Sequence, residues 1–308
     1  MNCFGIIIIF IIILVFIFVI TSLFTFTYLR NKFRHNYNLS LGDFCRNVEY
    51  LRYETRLKYP KTPNYYYDLA RYLLTVSLNI TKSNCINKEM PLPPEFRNSQ
   101  RLYGIHPYNG KKILVGVIFY NNTNNRVLIG FSGTLFLNEW ATDFNFPLTY
   151  PTGTTFNVDD VQVHRGFYNL YMTIRQDIQN FLSANKTSYK NLFITGHSLG
   201  AALATLAAID FYEYAPVIYT FASPRVGNVD FARLFNYRIS NKFRINNIED
   251  VITELPPPVI LGNVYEHVST GIPFNKNLGT IGQNHIESYI KYLPKCLVNP
   301  AKCDNETN

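Results

Sequence analysis

The sequence predicts an α/β domain, a mostly parallel central sheet with helices on both faces. Three observations carry this. Strand-like and helix-like stretches alternate along residues 66–293, as a parallel sheet covered by crossover helices requires. Setting aside an apolar N-terminus leaves roughly 275 of the 308 residues, enough for one large domain with a sizeable core. A short apolar run at 192–195 meets a glycine and then an Ala-rich helical stretch, a strand–turn–helix junction. Apolar residues make up 47% of the chain, which excludes disorder.

Taken in order, the first element is the N-terminus. Phe4 to Leu29 carries no charge, and Ile6 to Ile20 is apolar without a break. At ~1.5 Å rise per residue it can cross a hydrocarbon core of ~30 Å. Residues 1–29 are therefore read as a signal-anchor or a signal peptide. The run exceeds the usual ~7–15-residue signal core and shows no small-x-small cleavage site, which favours a single-pass membrane anchor over secretion by cleavage. Arg30, Lys32 and Arg34 follow it, a cytoplasmic sign for the C-terminal part. Cys45, Cys85, Cys296 and Cys303 point the other way: an even number at the two ends of the soluble part suits disulfides in an oxidising compartment. Residues 30–64 read as a basic linker, with eight Lys/Arg against three Asp/Glu between Arg30 and Lys61. This stretch could rest on anionic headgroups or simply be solvated. The formal charge of +8 comes with no nucleic-acid module, because basic and aromatic residues do not interleave. Five Asn-x-Ser/Thr sites, at Asn38, Asn79, Asn121, Asn185 and Asn305, are near the roughly four expected by chance.

The domain is placed at 65–296, with a tail at 297–308. Tyr66, Leu69, Ala70, Leu73, Leu74 and Leu78 share one helical face. Ile113–Tyr120 and Arg126–Phe131 read as a hairpin around the polar turn 121–125. A helix is expected over 166–182, a strand over 192–195, a helix over 198–214, strands over 217–221 and 243–245, and a last helix over 286–293.

The chemistry concentrates at Thr195-Gly-His-Ser-Leu-Gly-Ala-Ala202, which holds Gly-x-Ser-x-Gly as Gly196, Ser198 and Gly200. The bare pattern arises by chance about 3% of the time in such a chain. The preceding strand and following helix make it a nucleophile elbow, the mark of the α/β-hydrolase fold. The two glycines allow a sharp turn, and the helix N-terminus favours an oxyanion, with the Leu199 N–H as first donor. The serine needs a base and the base an acid, in the chain order serine, acid, histidine. His267 lies in a stretch, 264–268, that alternates like a strand, so it reads as structural. His285 follows Gly279, Gly282 and Asn284, reads as a loop residue, and is the preferred base. Among Asp230, Glu249, Asp250, Glu254 and Glu266, Asp250 is the preferred acid, because it follows the strand 243–245 where catalytic groups of α/β sheets collect.

These stretches together resemble the class 3, or fungal lipase-like, family over roughly residues 66–296. The serine motif at 195–202, Val163-His164-Arg165-Gly166-Phe167 and Pro224-Arg225-Val226-Gly227-Asn228 match family elements, and Asn246–Pro256 and Asn284-His285 resemble its acid and base loops. The resemblance implies a second oxyanion donor at Thr134, in Phe131-Ser132-Gly133-Thr134, where Ser132 replaces the usual arginine. It implies a lid from Leu135 to about Tyr150, centred on Trp140 among apolar residues, with Asp143 helping to hold the oxyanion loop. By the same analogy Cys45 would pair with Cys296, leaving Cys85 and Cys303. It implies hydrolysis of acylglycerol esters at a membrane or droplet surface, through an acyl-enzyme and with no cofactor or metal. Phospholipase A1 or general carboxylesterase activity is the alternative, and a feruloyl-type esterase suits the apolar lid region less well. A catalytically silent binding module on the same fold is the reading of another class.

Overall fold

The computed structural model describes residues 44–46, 49–55, 57, 65–106, 110–123, 125–133, 147–185 and 191–294. Its centre is a seven-stranded sheet in the order β1-β2-β3-β6-β7-β8-β11. β1 (Asn98–Ile105), β2 (Lys112–Asn121) and β3 (Arg126–Phe131) form an antiparallel meander. β3, β6 (Asn191–His197), β7 (Val217–Phe221), β8 (Asn241–Asn247) and β11 (Gly271–Phe274) are parallel. Their carboxyl ends therefore share one edge of the sheet. Two short ladders lie outside it: β4 (Leu148–Thr149) with β5 (Val163–His164), and β9 (Val259–Ile260) with β10 (Asn263–Val264).

Helices cover both faces. α1 (Tyr67–Ile86) packs with Tyr289 of α5 (Ser288–Tyr292) on one face. α2 (Arg165–Ala184), α3 (Leu199–Asp210) and α4 (Val229–Arg238) pack on the other. The middle strands β3, β6 and β7 are buried nearly end to end, because helices close both of their faces.

Several expectations need correction. The strands β1 and β11 and the helix α4 have weak local patterns. β1 is mostly exposed, so only its pairing with β2 makes it a strand. Of 264–268 only Val264 is in a strand; Glu266 instead bridges Gly227. The helix expected over 198–214 ends at Asp210 and passes into a 3-10 turn, Tyr212–Tyr214.

The stretch read as a linker docks on the core through Phe44, Tyr50, Leu51, Tyr53 and Leu57, while Arg46, Arg52 and Glu54 stay exposed. Asn79 of α1 brackets Leu51, accepting from its N–H (2.7 Å) and donating to its carbonyl (2.9 Å). Lys82 donates to the Glu49 carbonyl (2.7 Å) and lies over the Phe44 ring. Cys45 and Cys85 form a disulfide, with Cα atoms 5.8 Å apart, which overturns the pairing of Cys45 with Cys296. Cys85 stands in the last turn of α1, against which this segment is already strapped. Cys296, Cys303 and the apolar segment 1–29 lie outside the described residues. Among the described residues no helix is long and apolar enough to cross a membrane. Asn79 and Asn121 are buried with their side-chain amides hydrogen-bonded, so the folded chain presents neither for glycosylation.

Candidate active site

β6 delivers the chain to Ser198 at the carboxyl edge of the sheet. Ser198 has φ 59° and ψ −125°, a strained conformation for a residue with a Cβ. The Ser198 N–H donates to the Phe221 carbonyl (2.9 Å), and the Ser198 carbonyl accepts from Ala201 (2.9 Å). A Cβ on Gly196 would overlap the Gly200 backbone, and one on Gly200 would stand 2.6 Å from the Phe131 carbonyl oxygen. Both glycines are therefore demanded by the close approach of β6, α3 and the end of β3. α3 begins at Leu199, so its first turn points free N–H groups toward the serine. The Ser198 side chain is 1% exposed, and its hydroxyl has no hydrogen-bond partner among the described residues.

Asp250 and His285 meet in the interior, both with fully buried side chains. The imidazole Nδ1 lies 2.8 and 3.0 Å from the two carboxylate oxygens. A carboxylate only accepts, so Nδ1 carries the proton and Nε2 is left as the basic nitrogen. Asp250 follows β8 and caps the 3-10 turn Val251–Glu254, its Oδ1 accepting from the Ile252 N–H (3.1 Å). His285 sits in a π-helical turn, Gln283–Glu287, running into α5, and so is not the loop residue expected. The wider turn is held by Asn247, which donates to the carbonyls of Lys276 (2.8 Å) and Asn284 (3.4 Å), and by Asn284, which donates to the Glu249 carbonyl (3.1 Å). Acid loop and histidine turn are thereby stitched together.

Two further groups were not foreseen. The Tyr289 hydroxyl donates to Asp250 Oδ2 (3.0 Å) and accepts from the Asn247 N–H (2.9 Å). Burial, with the Asp250 charge second, pushes its pKa well up, so it stays a donor. His197 lies beside the Ser198 backbone and donates from Nε2 to the His285 carbonyl (2.7 Å). Burial, then His285, pushes the His197 pKa well down, so its ring stays neutral. Both residues were visible only as members of a strand motif and an apolar helix.

The end of β3 is pinned by the polar side of α1. Ser77 donates to the Phe131 carbonyl (2.9 Å), and Thr81 accepts from the Gly133 N–H (2.7 Å). Ser132 is buried and turned onto the Gly133 carbonyl (2.8 Å). This fixes the chain one residue short of Thr134. Thr134, Trp140 and Asp143 lie outside the described residues; the end of the expected lid, Leu148–Thr149, is the β4 strand paired with β5.

The remaining motifs frame the site. His164 caps α2, its Nδ1 accepting from Gly166 (3.1 Å) and Phe167 (3.2 Å). An acceptor must be unprotonated, and burial with Arg165 nearby pushes His164 down to about 3. Arg225 donates to the carbonyls of Glu254 and Pro256, clamping the chain just past Asp250. Asn228 caps α4 through Phe231 (2.9 Å). His267 donates from Nε2 to the Thr253 carbonyl of the same turn (2.9 Å).

A serine elbow on a mostly parallel sheet, with a buried Asp–His pair beyond the following strands, defines an α/β-hydrolase-like protein. A mono- and diacylglycerol lipase structure from Aspergillus oryzae has the same fold, with a TM-score of 0.53 at 24% identity over 68% of this chain and 80% of that one. Residues 128–260 match the family described as Lipase (class 3). A secreted mono- and diacylglycerol lipase A of Penicillium cyclopium is 35% identical over 161 residues, 50% of this chain and 50% of that protein. A chloroplastic phospholipase A(1) of Arabidopsis thaliana is also 35% identical over 161 residues, 46% of this chain and 36% of that protein. The chain thus spans half or less of the length of these relatives.

Proposed function

We propose that the chain hydrolyses carboxyl esters of mono-, di- or triacylglycerols through an acyl-enzyme on Ser198. The observation that carries this is the buried Asp250–His285 pair, which leaves imidazole Nε2 as the base. His285 takes the Ser198 proton as the oxygen attacks the acyl carbon, and returns it to the departing alcohol. Water then repeats the sequence and releases the acid. Asp250 orients the ring and stabilises the imidazolium, and Tyr289 holds Asp250. The N–H groups of Leu199 and Thr134 receive the oxyanion. Because Ser198 is almost completely buried, substrate reaches it only after a cover moves; residues around Trp140, with Asp143, are our assignment for that cover. We place the chain at a lipid surface, either anchored through residues 1–29 or secreted like the Penicillium relative.

Phospholipase A1 activity is a second reading, favoured by the equal identity to the Arabidopsis relative. A serine-directed fluorophosphonate should label the chain, and Ser198→Ala should abolish the label. A folded chain that stays unlabelled is a binding module. Release of acid from dispersed diacylglycerol and triacylglycerol, with phosphatidylcholine left intact, separates the two enzymatic readings; the reverse preference would establish the second.

A further inference from the structure

One hairpin packs its Ile260 against the core but holds two other aliphatic side chains clear of it. β9 and β10 form a minimal hairpin, Val259 opposite Val264 and Ile260 opposite Asn263. Leu261 and Gly262 make its turn, with φ of +47° and +80°. Two consecutive positive φ values in a two-residue loop are those of a type I′ turn, whose first position takes Asn, Asp or Gly. A leucine is strained there and has no side-chain polar atom to bond the backbone. Packing does not compensate. Leu261 is 81% exposed and Val259 68%, and a Cβ on Gly262 would meet nothing within 4 Å. Two aliphatic side chains are thus held out into water by a backbone that leucine disfavours.

The base of the hairpin is firm by contrast. Tyr265 is buried and its N–H donates to the Pro258 carbonyl (2.8 Å), Glu266 bridges Gly227, and Arg225 grips the Pro256 carbonyl (2.9 Å). Gly227 follows the end of β7, so the hairpin springs from the carboxyl edge of the sheet, where Ser198 and Asp250 stand. Ile248 and Val251, on either side of Asp250 in the chain, are exposed as well.

We propose that the tip of this hairpin, Val259 and Leu261, is a lipid-docking element that seats in the headgroup–acyl boundary of the surface carrying the substrate. The choice of lipid rests on the proposed activity. It also follows from the chemistry of the tip. No residue from Leu255 to Tyr265 is charged, so entry desolvates no ion. Aliphatic contact is non-directional, which suits a fluid surface, whereas a protein partner would call for a polar rim and directed bonds. The outward backbone groups of a two-residue ladder still need water, so insertion stops at the boundary and does not reach the hydrocarbon centre.

The test uses the full chain and vesicles of phosphatidylcholine with brominated acyl chains, which quench indoles only at close range. The sequence has one tryptophan, so the parent supplies the baseline. Leu261→Trp adds an indole at the tip. Tyr237→Trp adds one at the end of α4, beside the start of β8 on the opposite edge of the sheet. Vesicles should shift the emission added at 261 to the blue and remove most of it, and leave the emission added at 237 unchanged. An indole at 261 that stays unquenched overturns the proposal, and so does equal quenching at both positions. Val259→Trp repeats the measurement without touching the turn, and must agree. The readout is emission, not ester cleavage. A quenched chain that cleaves no ester would therefore sink the proposed function and leave the docking element standing.

Discussion

Ser198 and Leu261 share a positive φ and almost nothing else. Both carry a Cβ at positive φ, 59° and 47°. Ser198 is buried between two glycines, with its N–H and carbonyl both bonded and backbone in close contact around it. Leu261 stands in water at the end of a hairpin with two residues in each strand. Strain at the serine is over-determined by its surroundings, so no local relaxation can remove it. Strain at the leucine is held by one short ladder, and any better turn residue would release it. Backbone strain therefore has two forms here: one imposed by the core around the proposed nucleophile, and one held at the surface by a single short ladder.

The largest effect should come from breaking the packed member of the pair. Gly196→Ala puts a methyl into the Gly200 carbonyl, and backbone cannot step aside as a side-chain end can. A loss of about 4 kcal/mol or more is expected, read by denaturant unfolding. Parental stability would mean that the elbow is not held by close packing.

Acid should act on the same buried side and spare the hairpin, where nothing between Leu255 and Val264 titrates. His164 and His267 are pushed down to about 3, chiefly by burial and then by neighbouring arginines, and His197 is pushed well down by burial and then His285. Unfolded, each imidazole binds a proton near pH 6.5. The unfolded state thus holds more protons below that pH. Stability is fully present above about 6.5 and falls as pH drops toward 3, by about 1.4 kcal/mol per pH unit for each histidine. Melting temperatures between pH 7 and 4.5 measure this, and a flat profile would show that the rings reach solvent when folded.

The smallest effect sharpens the comparison from the other end. Leu261→Asn supplies the residue that a type I′ turn prefers, so it should stabilise by about 1 kcal/mol and raise the melting temperature by about 2–4 °C. The same kind of substitution at Ser198 would remove the proposed nucleophile.

The parts of this chain legible in the sequence are those whose signal is local. β2, β3, β6 and β7 are apolar runs bounded by turn residues, and α3 is an Ala-rich stretch behind a glycine elbow. Each can be read within a dozen residues. Asp250 and His285, read from a strand-end loop and a pre-helix turn that leave local traces, meet at hydrogen-bond distance. β1, β11 and α4 were missed because their periodicity is weak and neighbouring elements stabilise them. The polar side of α1 was missed because helical spacing marks an apolar face and is silent on Ser77 and Thr81, which face the end of β3. The Cys45–Cys85 pairing depends on how one segment docks on a helix, and spacing along the chain carries no record of that.

By itself, then, the sequence determined the class of fold, the serine on its elbow and the residue types that could serve it. Alternation of apolar runs, glycine at a sharp turn and a helix start are properties of contiguous residues. Only the tertiary structure decided which tyrosine holds Asp250, which cysteines join, why His285 rides a π-helical turn and where the exposed leucine stands relative to the site. Those outcomes require groups far apart in the chain, such as Asp250 and Tyr289 or Ser77 and Phe131, to meet at hydrogen-bond distance. Such meetings are set by the packing of the whole sheet and its helices, which no single stretch of residues encodes.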